Sequence, residues 1–280
     1  MNIRSYREFG ALNSPKIFDA FEQGAKKIGF FPADPKITIP VIWSVLWSGR
    51  MKANQRIYEN AVSQGIPVLI IEVGNFKRGV TWRLSVNNVN RLGYFGQGPI
   101  DNDRPKKLGI ELKPIRLKRR SEILIACQHK QSLQWPNTMS TESWITDTVK
   151  KLKTKTDRDI VIRPHPRCAI NPNIPGVSIN YPRKILNTYD DFDFDTDYHA
   201  VINYNTGPAI AAAINGTPVI CDQSSLAFPV SDDIDNIEDP RLENREQWLI
   251  DLSHKEWTIE EIADGIPQQR LLPYLVSTCS

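Results

Sequence analysis

The sequence predicts an α/β protein built from two layered domains, and three observations lead to this prediction. Apolar strand-like runs alternate with helix-like segments in residues 14–74, and the same alternation restarts after residue 121. A basic, proline-containing stretch, DNDRPKKLGIELKPIRLKRR at residues 101–120, separates the two series and has no clean periodicity. The length of 280 residues leaves room for two domains of ordinary size. We therefore expect a first domain over residues 1–118 and a second over residues 119–280, with a cleft between them.

Each element of the first series shows a start, a stop or an apolar pattern of its own. A serine followed by a proline is typical of a helix start, and a strand that is apolar on both faces is typical of a parallel sheet. The predicted elements are a helix from Ser14 and Pro15 through KIFDAFEQGAKK, a strand at KIGFF ending at Phe31, a strand at IPVIWSV (39–45), a helix from Arg50 to Gln64 stopped by Gly65, and a strand at IPVLIIEVG (66–74).

The second series repeats this order with shorter strands. The predicted elements are a strand at EILIACQ (122–128), a helix from Thr141 to Lys153 capped by Ser140 or Thr141, strands at DIVIRPHP (159–166) and HAVINYN (199–205), a helix from Gly207 to Asn215 ended by Gly216, a strand at TPVICD (217–222), and helices over residues 244–253 and 258–264.

The segment IVIRPHPR is an apolar strand that stops abruptly at Pro164. This stop places Arg163, His165 and Arg167 at the carboxyl end of a strand, where ligands bind in such sheets. Guanidinium groups match phosphate oxygens in two-point contacts, and an imidazole can donate a proton to a leaving oxygen near neutral pH. The segment therefore predicts an anion site, and the alternative is a rigid turn with a structural histidine.

A second polar strand end follows about forty residues later in NYNTGPAIAAAING. The turn Asn205-Thr206-Gly207 offers a hydroxyl and backbone N–H groups at the start of a small-residue helix, which favours anion binding. An ordinary strand–helix–strand unit explains the alanines equally well. It does not explain why two strand ends of the same half both favour anions.

Residues 122–230 resemble the nucleotide-sugar half of GT-B glycosyltransferases, and most closely the capsule-type enzymes, which include Kdo transferases and bacterial sialyltransferases. The likeness rests on a strand ending in His-Pro and on the later strand–turn–helix with its Thr-Gly start. It implies a GT-B-like α/β fold of two Rossmann-like domains. It also implies that His165, Pro166, Thr206, Ser224 and Ser225 contact the donor, and that Gln128 lies on a loop facing it. Many relatives have Ser-Ser where this chain has Asn205-Thr206-Gly207. With Arg163 and Arg167, these residues form the predicted donor site.

The first half places tryptophans near basic residues in WSVLWSGRMKANQ and VGNFKRGVTWRLSVNNVNRLGYFG. Aromatic rings among cations suit stacking on a base or sugar beside a phosphate backbone. We expect the acceptor contacts at Arg50, Lys77, Arg78, Trp82 and Arg83. The alternative is that the tryptophans belong to the core, which is the preferred interpretation for Trp43. These two sequence segments also resemble those of small phage-encoded glycosyltransferases, some of which modify bases in DNA.

Glycosyl transfer needs a departing phosphate and, in some enzymes, a base that activates the acceptor hydroxyl. Glu72 ends a predicted strand and is our first candidate for this base, followed by Asp34, with Asp101 and Asp103 behind them. We expect no metal site, because the acidic run DDFDFDTD (190–197) is better explained as a surface loop.

The positive charge is concentrated in one stretch. Residues 75–120 contain twelve basic and three acidic residues and are therefore +9, so the rest of the chain is −6 when the whole is +3. Such an excess attracts polyanions, although a solvated surface explains any single residue equally well.

Composition narrows the function classes. No apolar run approaches the ~20 residues of a membrane span, and the scattered Cys127, Cys168, Cys221 and Cys279 predict neither a zinc site nor a disulfide framework. We expect a cytoplasmic nucleotide-sugar-dependent glycosyltransferase, in the host cytoplasm if it is phage-encoded. It would need no cofactor, and its donor would be linked to UDP, GDP, CMP or dTDP.

The hydroxylated base of phage DNA, such as a hydroxymethyl base, is the first candidate for the acceptor, and a surface polysaccharide or lipid-linked glycan is the alternative. An epimerase or hydrolase on the same scaffold, or a non-catalytic nucleic-acid-binding protein, are further hypotheses. The sequence leaves open the oligomeric state and the identity of the sugar.

Overall fold

The computed structural model describes residues 2–29, 37–116, 119–170, 174–182 and 198–278. These residues pack as two compact units. The first unit combines the described residues up to Arg104 with those from Ile250 onward, and the second unit runs from Pro105 to Leu249. This division differs from the predicted one mainly at the C-terminal segment, which we had placed in the second domain. Its strand joins the sheet of the first unit, and its helices pack on elements of the same unit.

In the described ranges, ten strands form two sheets. They are β1 (Asn2–Ser5), β2 (Thr38–Trp43), β3 (Leu69–Val73), β4 (Thr81–Val86), β5 (Ile123–Ala126), β6 (Ile160–Arg163), β7 (Val177–Ile179), β8 (Ala200–Asn203), β9 (Val219–Cys221) and β10 (Glu256–Thr258).

Eight α-helices accompany these strands in the described part of the chain. They are α1 (Pro15–Lys27), α2 (Lys52–Ser63), α3 (Arg104–Lys107), α4 (Thr141–Lys153), α5 (Gly207–Ile214), α6 (Arg245–Ser253), α7 (Ile259–Ala263) and α8 (Ile266–Thr278). The predicted cap of α4 is present, because the Ser140 hydroxyl accepts a hydrogen bond from the Ser143 amide.

The first unit contains a mixed sheet with the strand order β1-β2-β3-β4-β10. Strands β1 to β3 run parallel, whereas β4 is antiparallel to β3 and β10 is antiparallel to β4. Trp43, Trp82 and Trp257 are almost fully buried, and Phe18 on α1 packs against Trp43. The expectation that Trp43 belongs to the core is confirmed.

The second unit contains a parallel sheet with the strand order β7-β6-β5-β8-β9. One face packs on α4 through a cluster of buried residues that includes Ile125, Cys127, Ile162 and Ile145. Helix α5 packs on β8 and β9, and its alanines allow a close approach because they add little volume. Because β5 is central, the carboxyl ends of its parallel neighbours β6 and β8 lie on either side of its own.

The structure corrects the first series at two places. Residues 27–29 do not start a strand, because Lys27 ends α1 and Gly29 follows in a turn with φ of +66°. The other residues of that predicted strand lie outside the described ones. Residues 81–86, to which the predicted series assigned no element, form β4.

Candidate functional site

Three neighbouring strands of the second sheet end beside one another with polar side chains on one face. Ala126 at the end of β5 pairs in register with Arg163 on β6 and with Asn203 on β8. Residues paired in this way point to the same side of a sheet. Ligands of open parallel sheets bind at the carboxyl ends of the strands. Arg163 and Asn203 therefore flank β5 at the edge where a ligand site is expected.

The guanidinium of Arg163 is buried with part of its hydrogen-bonding capacity unused. The residue is 6% exposed, and its Nη1 donates to Oδ1 of Asn180 at 3.4 Å. Its Nη2 has no hydrogen-bond partner among the described residues. Burying an incompletely paired charge is costly, whereas an anion would offer the guanidinium a two-point contact. The burial of Arg163 thus supports an anion site at this edge.

His165 and Pro166 lie in a tight turn directly after β6. The Cys168 amide donates to the His165 carbonyl at 3.0 Å and closes the turn. The Arg167 amide donates to Nδ1 of His165 at 3.1 Å, so the neutral imidazole carries its hydrogen on Nε2. Pro166 is half-buried and Arg167 is exposed. The turn is therefore rigid, as the structural alternative required, and it also fixes an imidazole donor in one orientation.

A second imidazole, which our sequence analysis missed, lies against His165. The rings of His129 and His165 are 5.2 Å apart between centroids and nearly perpendicular. His129 is buried, and its Nδ1 accepts a hydrogen bond from the Gln131 amide at 3.1 Å. The signal in the sequence was a histidine immediately after the predicted strand EILIACQ. The two histidines thus share one tautomeric pattern and border the same strand ends.

Gln128 lies two residues beyond the end of β5 and is 2% exposed. Neither Nε2 nor Oε1 of its carboxamide has a hydrogen-bond partner among the described residues. The hydrogen bonds of a buried amide are normally satisfied. Each buried donor or acceptor that lacks a partner costs about 1–3 kcal/mol of stability. This side chain is therefore the strongest indication that the edge is built to hold a polar ligand.

The turn before α5 is held by Asn203. Its Nδ2 donates to the carbonyl oxygen of Thr206 at 2.9 Å and to the Thr206 hydroxyl at 3.0 Å, while Oδ1 has no partner within the described part of the chain. Thr206 is the N-cap residue of α5, and Gly207 is its first helical residue. Because Pro208 has no N–H, the helix start offers fewer amide donors than we expected.

Asn205 joins this turn to two other segments. Its Nδ2 donates to the Gln134 carbonyl at 3.2 Å and to the Ser224 hydroxyl at 2.9 Å. The Ser224 hydroxyl in turn donates to Oδ1 of Asp222 at 2.6 Å. Ser225 is fully buried and its hydroxyl accepts from the Ala227 amide. Ser224 thus belongs to a network at the edge, whereas the Ser225 hydroxyl stabilises a turn.

An aromatic cluster adjoins Asn205. The ring of Tyr204 lies 5.0 Å from Trp135 and 6.2 Å from Trp144, and the two indoles are 5.9 Å apart between centroids. Burial, with a smaller contribution from Asp222, raises the pKa of Tyr204 above its ordinary value, so its hydroxyl stays protonated. The segment after Gln128 is therefore fixed against the end of β8 by aromatic contacts as well as by hydrogen bonds.

In the first unit, Glu72 lies near the carboxyl end of β3. Its Oε2 accepts a hydrogen bond from the Ser44 hydroxyl at 2.7 Å, and Oε1 accepts from the Val73 amide at 2.8 Å. Ser44 has a φ of +62°, an uncommon conformation for a residue with a side chain. Glu72 therefore occupies the strand end where we expected it. Asp34, the second candidate base, lies outside the described residues.

The predicted acceptor contacts separate into two groups. Arg50 and Lys77 are exposed and Arg78 is half-buried. Trp82 is 2% exposed in the core, and the buried Arg83 guanidinium donates to the carbonyl oxygens of Val73 and Val89. Because packing and backbone hydrogen bonds occupy Trp82 and Arg83, we no longer include them among the residues proposed to contact an acceptor.

The described ranges contain neither a metal-binding cluster nor a helix that could span a membrane. These residues bring together no group of three or more His, Cys, Asp and Glu side chains that could hold a metal ion. None of the helices found there is both long and apolar enough to cross a membrane. The acidic run at residues 190–197 lies outside the described ranges.

No family model matches the chain, and no curated protein matches it in sequence. In structure, it is similar to the beta Kdo 2,7 transferase of Thermosulfurimonas dismutans KpsC, with a TM-score of 0.50 and 12% identity over 96% of this chain and 99% of that chain. The beta Kdo 2,4 transferase of the same KpsC gives a TM-score of 0.49 at 10% identity over 95% and 98% of the two chains. AviGT4, a glycosyltransferase involved in avilamycin A biosynthesis, gives 0.31 at 11% identity over 92% and 89%. The first likeness confirms the predicted GT-B fold.

Proposed function

We propose that this protein is a nucleotide-sugar-dependent glycosyltransferase whose second unit binds the donor at the carboxyl edge of its parallel sheet. The observation that carries the proposal is a group of buried polar side chains at that edge with atoms that find no hydrogen-bond partner among the described residues, namely Gln128, Arg163, Asn203 and Asn205. The GT-B fold supports it, because that fold is the one expected for this chemistry.

In the proposed reaction, an acceptor hydroxyl oxygen forms a bond to the anomeric carbon of the sugar. The bond between that carbon and the phosphate oxygen breaks, and the nucleotide leaves with the electron pair. Arg163 and the Nε2–H of His165 stabilise the negative charge on the departing phosphate. The proton of the acceptor passes to a base, for which Glu72 of the first unit is our first candidate. No metal is required by this scheme.

For the acceptor, the proposal specifies an alcohol. The positive stretch at residues 75–120 favours the hydroxymethyl group of a modified DNA base. The structure weakens that argument, because Arg83, Arg104, Arg116 and Arg119 all donate hydrogen bonds within the protein. A hydroxyl of a surface polysaccharide or lipid-linked glycan is the second candidate acceptor. A cytoplasmic location stays a prediction.

The donor is tested first, by measuring the melting temperature with UDP, GDP, CMP and dTDP compounds. One of these series should raise the melting temperature, because a ligand that binds only the folded state stabilises it by mass action. Turnover of the matching nucleotide sugar is then measured with hydroxymethylated DNA or with a glycan primer. Labelled DNA supports the first acceptor, and labelled glycan alone supports the second.

The role of His165 is tested with the variant His165→Ala, which should bind the nucleotide but lose turnover by about 100-fold or more. Lys150→Ala is the matched control, because Lys150 is exposed on α4 of the same unit and should leave turnover unchanged. A protein that binds none of the nucleotides, or a His165→Ala variant with the turnover of the wild type, would overturn the proposal.

A further inference from the structure

Gln128 differs from the other buried polar residues at the edge because, among the described residues, no atom of its carboxamide has a hydrogen-bond partner. Asn203 and Asn205 each use Nδ2 and leave only Oδ1 without a partner among the described residues, and Arg163 uses Nη1. Gln128 uses neither Nε2 nor Oε1 in that part of the chain. The protein thus buries a complete donor–acceptor pair.

The position of this carboxamide separates it from the cationic part of the edge. The Cys127 amide donates to the Arg163 carbonyl, so β5 continues in extended form past Ala126. Cys127 packs into the cluster on the α4 face, and the alternation of an extended strand then directs Gln128 to the other face. Gln128 therefore lies on the Arg163 face, roughly 6–7 Å further along the strand direction.

The chemistry of the carboxamide excludes the phosphate as its main partner. A phosphate accepts hydrogen bonds, so it would satisfy Nε2 and leave the buried Oε1 facing negative charge. A group that donates and accepts side by side in one plane satisfies both atoms. The Watson–Crick edges of nucleobases have this arrangement, and side-chain carboxamides bind base edges in two-point contacts.

Aromatic residues lie on the segment that follows Gln128. The segment that follows it is held at the end of β8 by the bond from Asn205 to the Gln134 carbonyl and by the contact of Trp135 with Tyr204. Aromatic rings stack on bases of any sequence. We propose that Gln128 recognises the base of the donor nucleotide through its carboxamide and thereby determines which nucleotide sugar the enzyme uses. This inference rests on the proposed function.

The experiment compares the wild type with Gln128→Met, in which a side chain of similar length lacks both polar atoms. Dissociation constants are measured by calorimetry for UMP, CMP, GMP, dTMP and ribose 5-phosphate. The preferred nucleotide should bind the variant about 10-fold to 100-fold more weakly, the range that one two-point base contact supplies. Ribose 5-phosphate, which lacks the base, should bind both proteins equally within about twofold.

A second readout needs no ligand. The melting temperature of the Gln128→Met protein alone should exceed that of the wild type, because the variant no longer buries unsatisfied polar atoms. Ser85→Ala is the matched control, since it removes a fully buried hydroxyl without a partner among the described residues, but from the sheet of the first unit. It should leave every dissociation constant unchanged. If the methionine variant does not unfold cooperatively, Gln128→Leu replaces it.

The outcomes distinguish this inference from the proposed function. If the wild type binds a nucleotide and the variant binds it as tightly, or if ribose 5-phosphate loses as much affinity as the nucleotide, base recognition by Gln128 is wrong and the glycosyltransferase proposal stands. If the wild type binds none of the nucleotides, both are wrong.

Discussion

Replacing Arg104 by methionine, which keeps the side-chain length but removes the guanidinium, should strongly destabilise the first unit. The Nε of Arg104 donates to the Ser253 carbonyl at 2.7 Å, and Nη2 donates to the Glu256 carbonyl at 2.6 Å. Nη1 and Nη2 bind the two oxygens of Glu261 at 2.6 and 2.9 Å. The guanidinium also lies 4.3 Å from the centre of the Trp257 ring.

The magnitude follows from what the substitution leaves behind. Removing one member of a buried ion pair costs ~3–5 kcal/mol, and each hydrogen bond lost at a buried carbonyl costs ~1 kcal/mol. The Glu261 side chain is 22% exposed and keeps a hydrogen bond from the Thr258 amide, which reduces the first contribution to its lower end. We therefore expect a loss of about 4–5 kcal/mol in the free energy of unfolding, a large part of the ~5–15 kcal/mol typical of a domain.

The assay is urea unfolding followed by tryptophan fluorescence, to which Trp43, Trp82 and Trp257 of the first unit contribute together with the tryptophans of the second unit. Arg104→Met, Glu261→Gln and the double variant form a double-mutant cycle. Because Glu261→Gln removes the charge and keeps an acceptor for the Thr258 amide, the arginine substitution should cost about 2 kcal/mol less in that background. A loss below about 1 kcal/mol for Arg104→Met, or a coupling energy of zero, would refute the reasoning.

Three further predictions concern pH, backbone conformation and thiol reactivity. Burial lowers the pKa of His199 and His254 below their ordinary values. Because the unfolded chain then binds more protons, stability should fall as the pH drops below ~6.5, by up to ~1.4 kcal/mol per pH unit for each group. Denaturation midpoints that do not change between pH 7.5 and 5.5 would contradict this. Asn87 has a φ of +64° and its Oδ1 accepts from a backbone amide, so Asn87→Ala should cost ~1–3 kcal/mol and Asn87→Gly less, as measured by denaturation. Burial raises the pKa of the Cys127 thiol far above its ordinary value, so iodoacetamide should not label Cys127 in the folded protein, as measured by peptide mapping. Labelling of Cys127 before the partly exposed Cys221 would contradict this.

The strand ends of the second unit could be predicted because their signal is local. An apolar run such as DIVI followed by Arg163 and a proline fixes both the strand and the point where it stops. The same holds for β8 and the turn at Asn205. A pattern of this kind does not depend on distant residues, so these elements and the neighbouring polar side chains follow from the sequence alone.

Strand β4 was not predicted, for a different reason. Thr81, Arg83 and Ser85 alternate with three apolar residues, which is the period of a strand, but their chemical types suggested ligand contacts. The hydrogen-bond acceptors of Arg83 are backbone carbonyl oxygens. Every residue has such an oxygen, so the pattern of side chains does not predict these contacts. Burial of a polar side chain without a partner, as at Gln128, is likewise visible only in the folded chain.

The placement of the C-terminal segment depends on contacts that are remote in sequence. The fully buried Glu256 accepts hydrogen bonds from the amides of Asn75 and Phe76 and from the Thr81 hydroxyl. These partners lie 181, 180 and 175 residues away along the chain. Local periodicity predicted the helices of this segment but contained no information about which sheet they would cover.

Because the C-terminal segment that completes the first unit is synthesised last, the order of synthesis affects the nascent chain. Residues 105–249 come from one continuous stretch and can complete their packing as soon as they leave the ribosome. Strand β4 must wait for β10, which supplies its second neighbour only after about 170 further residues have been translated. Until then its outer edge is uncovered, and an uncovered edge is a template for unwanted pairing with other chains. A chain whose translation stops after residue 249 would therefore contain a folded second unit and an incomplete, aggregation-prone first unit.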